Sequence, residues 1–122
     1  MATSTGDATC PSQGTESADY AIQVAWDSTP TRISGSTLSV SVTRAGGPVV
    51  GARLCFAAST APAACNCVPA KEVKLDATEV SPGLYEAKPD FTNGGVERWG
   101  GSIALFQADT LSSVKQFVFE TR

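Results

Sequence analysis

From Tyr20 onward, apolar residues recur at every second position of the chain and almost nowhere at the 3.6-residue spacing of a helix. This alternation predicts β-strands with one face toward a core, and clusters of Gly, Pro, Asn and Asp separate the runs as turns do. The pattern predicts about seven short strands, which cover Tyr20–Trp26, Leu38–Val42, Val50–Phe56, Val73–Leu75, Leu84–Ala87, Ile103–Phe106 and Val114–Phe119.

Seven short strands within 122 residues predict an all-β fold, an antiparallel immunoglobulin-like β-sandwich whose two sheets bury their inner faces. We expect this domain to span residues 19–122. Residues 1–18 are rich in Ser, Thr and Gly and have no apolar run, so they predict a flexible leader that is neither a signal peptide nor a membrane anchor. In the full-length form, a removed export signal or a lipoprotein anchor would fit this start.

Charge and composition exclude several function classes. Nine Lys and Arg against twelve Asp and Glu give a net charge of −3, which argues against a nucleic-acid partner. The chain has no His, the usual general base and the commonest metal ligand, so Ser-His and Cys-His nucleophile pairs are excluded. No paired carboxylates suggest another chemistry, and we expect neither an enzyme nor a bound cofactor.

Four cysteines in a short acidic chain favour disulfides and an oxidising compartment, such as the bacterial periplasm or cell surface. The disulfide candidates are Cys10, Cys55, Cys65 and Cys67. Two cysteines separated by one residue pair badly with each other. We therefore expect Cys55 to pair with Cys65 or Cys67, and Cys10 to pair with the other.

A metal site is the alternative use of these cysteines. The thiolates of Cys65 and Cys67 lie one residue apart and could hold a soft ion such as Cu(I) or Zn(II). Zinc requires four ligands and would have to recruit Cys55 and Cys10, since no imidazole is present. We favour disulfides over this metal-site hypothesis.

The segment Phe91–Gly101 is the most unusual loop of the sequence, because it combines four glycines with Arg98 beside Trp99. One interpretation is a flexible connection into a central strand, with Trp99 buried between the sheets. The other is an interaction loop that uses Asn93, Arg98 and Trp99.

Three stretches resemble a known family in order and spacing. They are Pro48–Leu54, Ser81–Ala87 and Trp99–Leu105. They are similar to the P-V-x-G-A, P-G-x-Y-x-A and Trp-bearing strands of the YtkA-like group of exported immunoglobulin-type domains, which is related to the FixH-like proteins linked with copper delivery. The resemblance implies an exported sandwich more than an activity. Copper-handling relatives use His and Met, whereas this chain has no His and its one Met is Met1.

These observations predict a non-enzymatic, exported binding or interaction module that is stabilised by disulfides and has no transmembrane segment. Its partner would be another protein or a small ligand. The alternative function is a periplasmic copper-trafficking domain that uses Cys65 and Cys67.

Overall fold

The computed structural model describes residues 10–60, 71–92 and 96–122. These residues fold into antiparallel strands and turns, which confirms the all-β prediction, and they form no helix that could cross a membrane. The strands are β1 (Tyr20–Trp26), β2 (Leu38–Arg44), β3 (Gly47–Pro48), β4 (Arg53–Thr60), β5 (Glu72–Ser81), β6 (Leu84–Ala87), β7 (Glu97–Gln107) and β8 (Thr110–Thr121).

The strands pair in the order β1-β2-β6-β5-β4-β7-β8, and the two-residue β3 pairs with β2. Strand β5 connects the two halves of this arrangement. Its residues 72–77 pair with β4, whereas its residues 78–81 pair with β6 across a register shift between Glu79 and Ser81. The result is a sandwich-like or barrel-like all-β fold in which β1 and β8 are the two end strands.

Strands β1 and β6 have the predicted bounds, whereas β5, β7 and β8 extend well beyond the predicted runs and the two-residue β3 was not predicted. A turn also displaces the start of one strand. The third predicted run starts at Val50, but β4 begins at Arg53, and Val50 is 60% exposed. The reason is Gly51, whose φ of 76° places it in the left-handed region and ends any continuous strand there. Beyond it, Leu54 and Phe56 point into the core as predicted.

An aromatic cluster occupies the core between the two halves. Trp99 is fully buried, with its ring 4.9 Å from that of Phe91 and stacked at 6.3 Å on that of Phe119. The prediction that Trp99 is buried is therefore confirmed. Phe119 also lies 4.9 Å from Trp26, so the cluster reaches from β7 and β8 to the end of β1.

The disulfide pairing predicted from the sequence is wrong. Cys10 is bonded to Cys55, with 5.6 Å between the two Cα atoms. Cys55 lies on the face of β4 opposite the aromatic core, where it forms a second small cluster with Ala57 and Cys10. The prediction paired Cys55 with a cysteine across a short loop, whereas the fold brings Cys10 onto this outer face beside Cys55. Cys65 and Cys67 lie outside the described residues.

The part of the predicted leader that the structure describes is attached to β7 and β8. The carbonyl oxygen of Ser12 accepts a hydrogen bond from Gln116 Nε2 (2.9 Å), and that of Thr15 accepts one from the Val114 N–H (3.1 Å). The Ser17 N–H donates to Ser113 Oγ at 2.9 Å. Residues 10–17 therefore pack on the domain, which differs from the expected boundary after residue 18.

Candidate functional site: a cleft between the end strands

The end strands β1 and β8 meet at the end of β1, where the rings of Trp26 and Phe119 lie 4.9 Å apart, but the two strands are not paired in the described residues. At one end they are joined through a single parallel bridge between Thr31 and Thr121. There the Thr31 N–H donates to the Glu120 carbonyl (3.0 Å), and the Arg122 N–H donates to the Thr31 carbonyl (3.0 Å). The segment that follows β1 therefore closes one end of an otherwise open seam.

A cleft of about 590 Å³ lies beside this bridge. We call it the Trp26 cleft. It is lined by Trp26, Thr29, Pro30, Thr31, Val118, Phe119, Glu120 and Arg122. Two aromatic rings, a proline and a valine make most of its lining apolar, and Val118 is 66% exposed at its edge. Its size and composition are those of clefts that bind an apolar group.

The two tryptophans of the chain differ in how their indole N–H groups are satisfied. Nε1 of Trp99 donates to Oγ1 of Thr121 at 3.0 Å. Nε1 of Trp26 is buried and has no acceptor among the described residues. A buried donor without an acceptor costs about 1–3 kcal/mol, and such groups are rare in folded proteins. The indole N–H of Trp26 is therefore a buried hydrogen-bond donor in the cleft lining that lacks an acceptor among the described residues.

Charged residues border the apolar lining. Glu120 pairs with Arg122 at 3.2 Å, and both side chains are more than half exposed, so the pair contributes little to stability. Arg98 stands opposite Glu120 in the β7–β8 register. It helps to line an adjoining depression of about 320 Å³ that shares Glu120 and Arg122 with the cleft. This rim presents both signs of charge.

The structure separates the residues of the predicted interaction loop. Arg98 is exposed within β7, next to the rim of the cleft. Trp99 is the next residue, and strand alternation turns its side chain into the core, so its assignment to an interaction loop is corrected. Asn93 lies outside the described residues.

The described part of the chain provides no set of ligands for the metal site considered as an alternative. Cys10 and Cys55 are bonded to each other, so they are not available to complete a four-thiolate zinc site. The described residues contain no group of three or more Cys, Asp or Glu side chains that could hold a metal ion. Cys65 and Cys67, the predicted pair, lie outside them.

Among the described residues, two titratable groups have clearly shifted pKa values, and neither belongs to the cleft lining. Burial raises the pKa of Tyr85, whose hydroxyl sits between β6 and the turn before β4. The Thr92 N–H donates to Asp90 Oδ1 at 2.9 Å and lowers the pKa of that carboxyl.

Sequence reasoning missed the cleft. It assigned Trp26 and Phe119 to strand faces directed at a core, which is correct for most of each side chain. Their contribution to a cleft depends on Pro30 and Val118, which come from segments about 90 residues apart. No local motif marks such a site. A Trp at the end of an edge strand, followed by a turn with Pro, is the one signal that could have suggested it.

A scan against protein-family models, a search of curated proteins and a search of solved structures each find no match to this chain. The resemblance to the YtkA-like group stays a prediction.

Proposed function

We propose that this chain is a non-enzymatic, exported binding module that takes an apolar group of a partner protein into the Trp26 cleft. The Cys10–Cys55 disulfide supports an oxidising compartment. The observation that carries the proposal is Trp26 itself, an aromatic residue that lines the cleft while its indole N–H has no acceptor among the described residues.

The chemistry of the cleft sets what it would bind. Apolar side chains are buried favourably against Trp26, Pro30 and Phe119, at roughly 25 cal/mol per Å² of apolar surface. A carbonyl oxygen of the ligand that reaches the buried Nε1 of Trp26 would recover part of the cost of the unpaired donor. An apolar amino-acid side chain beside a peptide carbonyl combines both features.

The two indole N–H groups allow a direct test by ¹⁵N–¹H NMR, because the chain has two tryptophans and so two indole signals. The probes are N-acetyl-leucine amide and N-acetyl-phenylalanine amide, with N-acetyl-glycine amide as the control that lacks an apolar side chain. We expect a saturable shift of the Trp26 indole signal and a smaller change at Trp99, whose N–H is held by Thr121.

Matched variants locate the site. Val118→Glu places a charge at the edge of the cleft, and Val80→Glu places one at a similarly exposed valine on β5. We expect the first to weaken binding at least about tenfold and the second to leave it unchanged. Equal binding by both variants, or no saturable shift up to ~10 mM probe, would refute the proposed function.

A further inference from the structure

The edge of β8 that faces β1 is occupied at both of its ends by the chain's own backbone. Near the start of the strand, the Val114 N–H donates to the Thr15 carbonyl. Near its end, Glu120 and Arg122 bond with Thr31. Between these contacts the stretch 115–119 has no main-chain partner on that side among the described residues.

The regular alternation of an antiparallel ladder shows which groups face this edge. Val114, Glu120 and Arg122 all direct a main-chain group away from β7, and the β7–β8 register runs without a shift through this part of the strand. These three residues are even-numbered, and the even-numbered residues that lie between Val114 and Glu120 are Gln116 and Val118. Their N–H and C=O groups therefore point to the open seam and offer two donors and two acceptors.

Grooves lie on both sides of this edge. On one side is the Trp26 cleft, which includes Val118 and Phe119. On the other side is a groove of about 440 Å³, which we call the outer groove and which includes Ser59, Gly100 and Val118. Successive side chains of a strand point to opposite faces, so a strand added here would direct alternate residues into the two grooves.

The contacts at both ends of the open stretch favour a single extended segment over a second copy of the domain as its occupant. Two whole sheets can join edge to edge only where both edges are free, and here residues 15–17 and 29–31 stand at the two ends of the open stretch. On the facing strand β1, the Asp27 N–H donates to the Thr37 carbonyl just before β2, so the main-chain groups of Ile22, Val24 and Trp26 point away from β2 and have no main-chain partner among the described residues.

We infer that the partner is an extended segment of another protein that adds as a strand along β8 at Gln116 and Val118, with an apolar side chain in the Trp26 cleft and a small or polar one in the outer groove. This inference rests on the proposed function. Main-chain hydrogen bonds supply affinity in this mode of recognition, and the grooves supply selectivity for alternate side chains.

The test uses the tightest-binding capped heptapeptide selected from a displayed random library against the full chain. Amide hydrogen exchange is followed by NMR in the free and the peptide-bound protein. We expect the Gln116 and Val118 amides to exchange rapidly in the free protein and to become protected at least about tenfold on binding. The Phe119 amide, which points to β7, should be protected in both states.

A pair of variants at one position removes the edge donor without changing the ladder. Val118→Pro deletes the N–H that faces the seam, where Pro is tolerated because β7 does not use that donor. Val118→Thr keeps the donor and the branched shape. We expect Val118→Pro to weaken peptide binding about tenfold relative to Val118→Thr, with both variants folded as judged by circular dichroism.

The outcomes distinguish this inference from the proposed function. If capped amino-acid amides shift the Trp26 signal but no selected peptide protects Gln116 and Val118, the strand inference fails and the proposed function stands. If the capped amino-acid amides also leave the Trp26 indole signal unchanged, the proposed function itself is refuted. Protection of the same amides by self-association, without peptide, would also overturn the inference in favour of a second copy.

Discussion

The hydroxyl of Thr121 is the acceptor for the indole N–H of Trp99, with 3.0 Å between Nε1 and Oγ1. The same Oγ1 accepts the Glu97 N–H at 3.2 Å. Thr121 is fully buried, so this hydroxyl joins the largest core side chain to the pairing of β7 with β8. The end of β8, which forms one wall of the Trp26 cleft, is thereby held in place by the core.

Thr121→Val should destabilise the protein by about 1–3 kcal/mol, because it leaves two donors without this acceptor while keeping the shape of the side chain. Thr121→Ser, which retains the hydroxyl, should restore much of the loss. Thr110→Val on the exposed start of β8 is the control and should change stability by less than ~0.5 kcal/mol. Urea denaturation measures all three, and an unchanged stability of Thr121→Val would contradict the assigned bond.

Tyr85 connects β6 to the turn that precedes β4. Its hydroxyl donates to the Val49 carbonyl (2.8 Å) and accepts the Ala52 N–H (3.1 Å). Tyr85→Phe should therefore cost about 1–3 kcal/mol of unfolding free energy at pH 7. Tyr20→Phe, which removes an exposed hydroxyl near Arg44, is the matched control and should cost less than ~0.5 kcal/mol.

We also expect Tyr85 to make the unfolding free energy depend on pH in the alkaline range. Burial raises the pKa of Tyr85, so between its usual value of about 10 and the raised value the folded state holds a proton that the unfolded state has lost. This contribution to stability is complete below pH ~10 and is lost as the pH rises through the folded-state pKa. The unfolding free energy of the wild type should therefore fall more steeply above pH ~10 than that of Tyr85→Phe. If the unfolding free energies of the wild type and Tyr85→Phe fell equally with pH, the raised pKa of Tyr85 would be contradicted.

The disulfide predicts a specific peptide map. Trypsin leaves Cys55, Cys65 and Cys67 in one peptide, residues 54–71, so a second cut by chymotrypsin after Phe56 is needed to separate them. We expect Cys10 to be linked to the fragment 54–56. A link from Cys10 to the fragment with Cys65 and Cys67 would support the pairing first predicted from the sequence.

Removing the Cys10–Cys55 bond with the double variant Cys10→Ala/Cys55→Ala should cost about 4 kcal/mol by the chain-entropy estimate for a sequence separation of 45. It should also release residues 10–17 from β8, which hydrogen exchange at Val114 would report. Cys65→Ser/Cys67→Ser is the matched control and should leave the Cys10–Cys55 link intact.

Gly83 lies in the turn between β5 and β6 with a φ of 75°. A Cβ there would meet Cβ of Pro48 at 2.7 Å and the Val42 carbonyl oxygen at 3.0 Å. Gly83→Ala should therefore cost more than ~2 kcal/mol, from the left-handed conformation and the clash together. Gly35 has a similar φ of 77° but open space around it, so Gly35→Ala should cost only about 1 kcal/mol. If thermal unfolding showed equal losses of stability for Gly83→Ala and Gly35→Ala, the predicted clash of a Cβ at position 83 would be contradicted.

Local periodicity was sufficient to predict the all-β class and the location of every described strand except β3, but not the full lengths of β5, β7 and β8. The alternation in Tyr20–Trp26 and the turn residues around Gly83 act over a few positions, and a side chain on a half-buried strand must follow that period whatever it packs against. The burial of Trp99 follows from the same argument, since its neighbour Ile103 shares its face. The shift of β4 from Val50 to Arg53 shows the limit, because one glycine in the left-handed region outweighed the alternation.

The amino-acid sequence by itself determined the all-β class of this protein, the location of most strands and the presence of a disulfide. The tertiary structure alone decided that Cys10 pairs with Cys55, that residues 10–17 lie on β8, and that Trp26 and Val118 border one cleft. These relationships join residues 45 to 104 positions apart, and no local pattern records them. They depend on contacts made only when the whole chain packs: the aromatic core joins Trp26 of β1 to Phe119 of β8, and the opposite face of β4 receives Cys10.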